Sequence, residues 1–184
     1  MIDYGRLNRS ISFYEDKGFQ RIESPWTVTK SVSNITKPPD KVDWEIVGKN
    51  KVLVASGEQS FLYLYLKGFL PEGKYQTITP CFRDEPFDQL HTKYFMKNEL
   101  IITDDVTESS LIKLVSYCKD FLESEIGDKV DMKETKDGYD LEYREIEIGS
   151  YGIRKCEYLT WVYGTGVAEP RLTMIKNIKN INNA

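Results

Sequence analysis

Two stretches constrain the fold most: Lys74 to Phe82, KYQTITPCF, and Tyr94 to Ile102, YFMKNELII. Both are rich in the β-branched and aromatic residues that suit a pleated, half-buried surface. The few residues between Glu85 and His91 suit a hairpin connection, so the two stretches form a strand-loop-strand unit. A chain that carries such a pair builds a sheet, and its other segments have to cover the sheet's faces.

Those other segments alternate between helix and strand character. Residues 3 to 17 place Leu7, Ile11 and Tyr14 at helical spacing and stop at Gly18, a position suited to a left-handed cap. Phe19 through Ile22 alternate apolar and polar and break at Pro25, which predicts a short strand at an edge or interface. SVSNITKPPDK reads as loop, KVLVAS as strand, and GEQSFLYLYLKG as a buried helix between two glycines. SSLIKLVSYCKDFLESEI predicts an amphipathic helix with Leu111, Leu114, Val115, Cys118, Leu122 and Ile126 on one stripe. YDLEYREIEIGS predicts one further strand, and EPRLTMIKNIKNI a helix entered at Pro170. The pattern is an α+β fold, an antiparallel sheet interleaved with a few helices, in a single domain over 1–184 with no repeat or linker.

Composition excludes several classes. No run approaches the roughly 18 apolar residues that span a bilayer, and MIDYGRLNRS lacks the plan of a secretion signal, so a cytoplasmic location and no membrane partner are expected. Cys81, Cys118 and Cys156 are odd in number, far apart and never in a C-x-x-C pair, which predicts free thiols rather than disulfides or a zinc site. A net charge of −4 argues against tight nonspecific binding of nucleic acid, while leaving room for a local cationic nucleotide site.

The loop of the predicted hairpin carries the chemistry. TPCFRDEPFDQLHTKYFMKNE holds the chain's one histidine, His91, and sets Arg83 between an aromatic ring and two acids. Phe82-Arg83-Asp84-Glu85, the loop PFDQL and His91 to Phe95 together resemble motif 2 of the class II aminoacyl-tRNA synthetases: F-R-x-E, a loop, H or R, three residues, then F. YEDKGFQRIESP resembles motif 1 of that family, a helix running into Gly18-Phe19 and then Pro25. YGTGVAEPRLTM is similar to motif 3, with Gly164, Gly166 and Arg171-Leu172 at the expected offset, and the three occur in the family's order. TPCFRDE, YDLEYREIEIGS and SGEQS look like stretches around the active site of the seryl branch.

The resemblance implies a six- or seven-stranded antiparallel sheet with flanking helices, a homodimer through motif 1, and a ligase that joins an amino acid to ATP as an aminoacyl adenylate. It assigns Arg83 to the α-phosphate and the attacking carboxylate, and Glu85 to the adenine amino group. His91 and Arg171 would meet the γ-phosphate, Phe95 would stack under adenine, and Gly164 and Gly166 would let the nucleotide lie close. Glu147 and Ser150 would hold Mg2+, with Glu145 on the same strand facing the cleft beside the amino acid. Glu58, with Ser56 nearby, would bind the amino acid's ammonium group. Read without the resemblance, Arg83 pairs with Asp84 or Glu85, Phe95 is core, His91 is a surface residue, the two glycines form a turn, and Glu145 and Glu147 are solvated.

The chain also departs from the family. Ala168 stands where motif 3 often has a third glycine, and Pro170 replaces the usual glutamate. Thirteen residues follow Arg171 and motif 1 begins almost at Met1, so a catalytic core without an anticodon-binding domain is expected. The expected acceptor is then a carrier protein, a small molecule or another protein rather than a full tRNA. The alternatives are a non-catalytic paralogue that binds nucleotide as a regulatory subunit, and asparagine-synthetase-like amidation through an aspartyl adenylate.

Overall fold

The computed structural model describes residues 1–84 and 92–182. In chain order the elements are α1 (Tyr4–Glu15), β1 (Gln20–Arg21), β2 (Thr27–Thr29), α2 (Lys30–Thr36), β3 (Lys51–Leu53), α3 (Gly57–Leu66), β4 (Lys74–Phe82), β5 (Tyr94–Ile102), α4 (Glu108–Ile126), β6 (Asp131–Thr135), β7 (Gly138–Tyr143), β8 (Ile146–Lys155), β9 (Thr160–Glu169) and α5 (Arg171–Asn182). The predicted pair β4 and β5 is antiparallel along its whole length, from Lys74 opposite Ile102 to Phe82 opposite Tyr94. It forms part of a seven-stranded sheet in the order β1-β4-β5-β9-β8-β7-β6, in which only the short edge pair β1 and β4 is parallel. The α+β class and the large antiparallel sheet expected from the sequence are present. β2 and β3 form a separate two-stranded ribbon.

Strand alternation sends side chains to two different cores. On one face Leu100, Val162, Leu141 and Tyr151 pack with Tyr14 of α1 and with Leu114, Cys118 and Leu122 of α4. On the other face Ile101, Trp161 and Tyr163 pack with Phe61 and Leu62 of α3 and with Val28 and Val52 of the ribbon. Each such fully buried side chain contributes about 1.5–3 kcal/mol, so the sheet is held from both sides. The helices begin and end as their sequences dictate. Asp3 accepts from the Arg6 amide at 2.8 Å to open α1, and Thr107 accepts from the Ser110 amide at 3.2 Å to open α4. Gly18 and Gly127 follow the two helices at φ +89° and +73°, where a Cβ would be strained.

Two expectations fail. SVSNITKPPDK, read as loop, contains all but the first residue of α2, a seven-residue helix without a side-chain cap at its start. It exists because Val32 joins the α3 core and Gln59 of α3 donates to the Ser33 carbonyl at 3.3 Å, so tertiary packing overrides weak local propensity. YDLEYREIEIGS, read as one strand, is β7 and β8 joined at Arg144 and Glu145, which have φ +53° and +63°. Two successive positive φ values make a tight hairpin turn, normally signalled by Asn-Gly or Asp-Gly, and no such pair stands here. β6 also went unforeseen, because four of its five residues are exposed and give no alternation of burial.

The cysteines are free, as predicted. Burial pushes the Cys81 thiol up to about 11 and the Cys118 thiol up to about 12. Iodoacetamide at neutral pH is therefore expected to modify Cys156 in the folded protein and the other two only after denaturation; peptide mapping that found native Cys118 modified would contradict this. Among the described residues, no helix is long and apolar enough to cross a membrane.

Candidate active site

A cleft of about 330 Å³ opens on the α3 side of the sheet. Its floor follows from strand parity: Phe95, Lys97 and Glu99 of β5, Tyr163 and Thr165 of β9, and Arg154 of β8 line it together. The start of α3 and the segment after α2 form the walls, with Ser56 and Gln59 on one side and Lys37 and Asp43 on the other.

Arg83 lies just past the end of β4, where its amide donates to the Lys93 carbonyl at 3.0 Å and keeps the β4–β5 pairing going. Its Nε donates to the Ala55 carbonyl at 3.1 Å, and its guanidinium sits 5.0 Å from the centre of the Phe95 ring. The cation is thus fixed against an aromatic face. Arg171, the first residue of α5, reaches the same cleft and donates to the Glu147 carbonyl at 3.3 Å. Two arginines distant in sequence therefore converge on one cavity, beside a helix N-terminus that also favours anions.

Glu147 and Ser150 both line the cleft, although a regular pleat would send residues three apart to opposite faces. The β7–β8 register explains it. Glu142 faces Glu147 but Leu141 faces Gly149, so Ile148 is an extra residue and the bulge reverses the parity beyond it. A carboxylate and a hydroxyl fit magnesium, which takes few protein oxygens and fills its shell with water and phosphate. Among the described residues, no group of three or more His, Cys, Asp or Glu gathers as a metal centre.

Other predicted site residues stand elsewhere. Glu145 is in the β7–β8 turn rather than in the strand, so it does not share Glu147's face and does not line the cleft. Gly164 and Gly166 face the helices: a Cβ on Gly164 would come within 2.8 Å of Tyr151 and Leu114, and one on Gly166 within 2.8 Å of the Tyr14 ring. Packing of these rings, and not a nucleotide, is what requires glycine there. Gly164→Val is expected to cost about 1–3 kcal/mol by overpacking, read as a lowered urea midpoint; an unchanged midpoint would contradict the packing role. Glu85 and His91 lie outside the described residues.

Glu58 is buried and lines the cleft, but its carboxylate is already taken. It accepts from the Trp161 indole N–H at 2.7 Å and from the Arg154 guanidinium. Burial pushes the Glu58 carboxyl above its usual range, and Arg154 works against that. The predicted ammonium-binding carboxylate is therefore paired inside the protein. Ser56, the residue before α3, lines the cleft and makes no capping bond with its side chain.

Sequence reasoning missed a better-placed carboxylate. Glu99 is 1% exposed, and its Oε1 lies 2.8 Å from Lys97 Nζ. Its Oε2 is buried and has no hydrogen-bond partner among the described residues. An orphaned buried acceptor costs about 1–3 kcal/mol, more if charged, so this oxygen is primed for a donor from a ligand. Gly57 brings the start of α3 against it, since an added Cβ would lie 2.8 Å from Glu99 Cβ. The signal was available, because Phe95, Lys97 and Glu99 share one strand parity.

The family model for the tRNA synthetases class II core domain (F) matches residues 57–183. No curated protein matches the chain. The fold is similar to that of pyrrolysyl-tRNA synthetase from Desulfitobacterium hafniense, with a TM-score of 0.74 at 17% identity over 95% of this chain and 69% of that one. It is similar to the cytoplasmic serine-tRNA ligase of Naegleria fowleri, solved with AMP, with a TM-score of 0.68 at 16% identity over 91% of this chain and 51% of that one. Seryl-tRNA synthetase from Pyrococcus horikoshii, solved with ATP, is similar at a TM-score of 0.68 and 14% identity over 93% and 49% of the two chains. The chain thus spans about half the length of these two seryl relatives.

Proposed function

This chain belongs to the class II tRNA synthetase core-domain family, and from that premise we propose that it activates an amino acid with ATP. The observation that carries the proposal is one cleft lined by Arg83 against Phe95, by Arg171, and by the orphaned oxygen of Glu99. The amino acid's carboxylate attacks the α-phosphorus, the bond to the bridging oxygen breaks, and pyrophosphate leaves. The nucleophile is ionised at neutral pH, so the reaction needs no general base. What it needs is two anions held together and the crowded phosphoryl group stabilised.

Each residue has a task within this reading. Arg83 spans the incoming carboxylate and the α-phosphate with its planar fork. Phe95 stacks on adenine, Arg171 holds the distal phosphate, and Glu99 accepts from the substrate ammonium in place of Glu58. Glu147 and Ser150 would hold Mg2+, which when bound screens the phosphate charge. Glu85 and His91 keep the roles the motif implies, on adenine and the far phosphate.

The acceptor is proposed to be something other than a full tRNA: a carrier protein, a small molecule or another protein. A net charge of −4 supports this, since it offers no general attraction to a phosphate backbone. A single core domain that pairs as a homodimer through the motif 1 region, YEDKGFQRIESP, belongs to the same proposal, and sedimentation velocity tests it. The activity is tested by amino-acid-dependent exchange of labelled pyrophosphate into ATP. Exchange with at least one amino acid is expected. No exchange with any of the twenty would overturn activation in favour of a non-catalytic nucleotide-binding subunit.

A further inference from the structure

We infer that the Arg154–Glu58 ion pair, stacked on Tyr163, is a partition that ends the amino-acid side of the cleft and limits the substrate to a small, polar side chain. The inference rests on the activation reading and adds to it the class of amino acid.

The cleft has a direction. Glu99 stands four positions beyond Phe95 along β5, a distance of about 13 Å at the usual rise per residue. A nucleotide seated at Phe95 and Arg83 therefore leaves its amino acid near Glu99. The next residue of the same parity, Ile101, is buried against α3, so the strand offers no further room beyond Glu99. Across the sheet a substrate side chain has room over Thr165 and Tyr163 of β9 toward Arg154 of β8.

There it meets a braced wall. Arg154 donates to Glu58, and its guanidinium lies 4.1 Å from the centre of the Tyr163 ring. Glu58 is held from the other side by the Trp161 indole at 2.7 Å. Tyr163 in turn rests against Gly152, where an added Cβ would come within 2.8 Å of its hydroxyl. A second cavity of about 560 Å³, lined by Glu108 and Leu111 of α4 and by Glu134, Lys136 and Asp137, shares Arg154 and Tyr163 with the cleft. Arg154 thus separates two volumes. A long side chain could enter the second only by displacing Arg154 and leaving the Glu58 carboxylate buried without its cation, which is strongly unfavourable. On the near side the Thr165 hydroxyl lines the cleft and offers a hydrogen bond to a short polar group.

The test compares the parent with Arg154→Ala and with the double variant Glu58→Gln/Arg154→Ala. The double variant leaves no buried charge unpaired and keeps an acceptor for Trp161. Pyrophosphate exchange and calorimetric binding in the presence of ATP are measured with glycine, alanine, serine, threonine, cysteine, asparagine and aspartate, and with leucine, methionine, lysine and phenylalanine. The parent is expected to favour members of the first group over the second by at least about tenfold in kcat/KM, the scale on which pocket walls discriminate. The folded variants are expected to narrow that ratio at least tenfold by gaining activity or binding with methionine and lysine. A parent that takes large side chains as well as small ones would overturn the partition while leaving activation intact. So would a folded double variant that kept the parent's ratio. A parent silent toward every amino acid in both measurements would overturn activation itself, and the partition with it.

Discussion

Arg83→Ala is expected to lower the rate of adenylate formation on the order of a hundred- to a thousandfold, the consequence of losing about 3–4 kcal/mol of preorganised transition-state stabilisation. The size follows from where the charge is. Carboxylate and polyphosphate repel each other in the ground state, and as the new bond forms the α-phosphoryl oxygens crowd beside a third negative group. A guanidinium already fixed by the Ala55 carbonyl and the Phe95 ring does not have to reorganise at that moment. Arg83→Lys should recover only part of the rate, because a point charge cannot bridge two oxygens as a planar fork does. The fold should hardly notice either change, because Arg83 is half-buried past the end of β4 and its bonds are local to the cleft wall. Single-turnover measurement separates this from a binding defect: the loss should fall on the chemical step, with the ATP dissociation constant moving far less. A variant within threefold of the parent would remove Arg83 from the chemistry.

The parts of the site that could be read beforehand are those in which one local pattern fixes the geometry. β4 and β5 were legible because two strand-type runs flank a short loop, and their parity carries Phe95, Lys97 and Glu99 to one face. Arg171 was legible because Pro170 marks the start of its helix. What escaped notice depends on partners far away in sequence. Glu58 looked free until Arg154, ninety-six residues later, folded onto it. Gly164 and Gly166 looked like nucleotide glycines until the rings of Tyr151 and Tyr14 filled the space above them. The Arg144-Glu145 turn escaped because neither residue is one that ordinarily takes positive φ, and with it went the face assigned to Glu145.

The largest effect on stability is expected from Arg6→Ala, at about 3–5 kcal/mol, the usual result of removing one member of a buried ion pair. Arg6 is 4% exposed, although it belongs to an otherwise amphipathic first helix. Its Nε donates to Glu125 of α4 at 3.0 Å, and its Nη1 to Thr173 of α5 at 3.0 Å and to Glu169 at the end of β9. Glu169 is fully buried, and its other oxygen accepts from Thr173 at 2.7 Å. One guanidinium therefore ties α1, α4, β9 and α5 together two residues before Arg171. In a chain of this length the loss corresponds to a melting temperature lower by on the order of 10 °C. Arg6→Met with Glu169→Gln should restore much of it, because the double change leaves no bare charge behind. Glu125 supplies the sign of the pH dependence. Its bonds from Arg9, and secondarily from Arg6, hold its carboxyl below the usual range. The network's contribution is therefore present above the ordinary carboxylate pKa and is lost as pH falls through the lowered one. Because Glu169 leads into Pro170 and Arg171, the folded fraction of Arg6→Ala should also bind ATP more weakly, which calorimetry below the melting temperature would read. A melting temperature within 2 °C of the parent would show that the four elements are held by their apolar contacts alone.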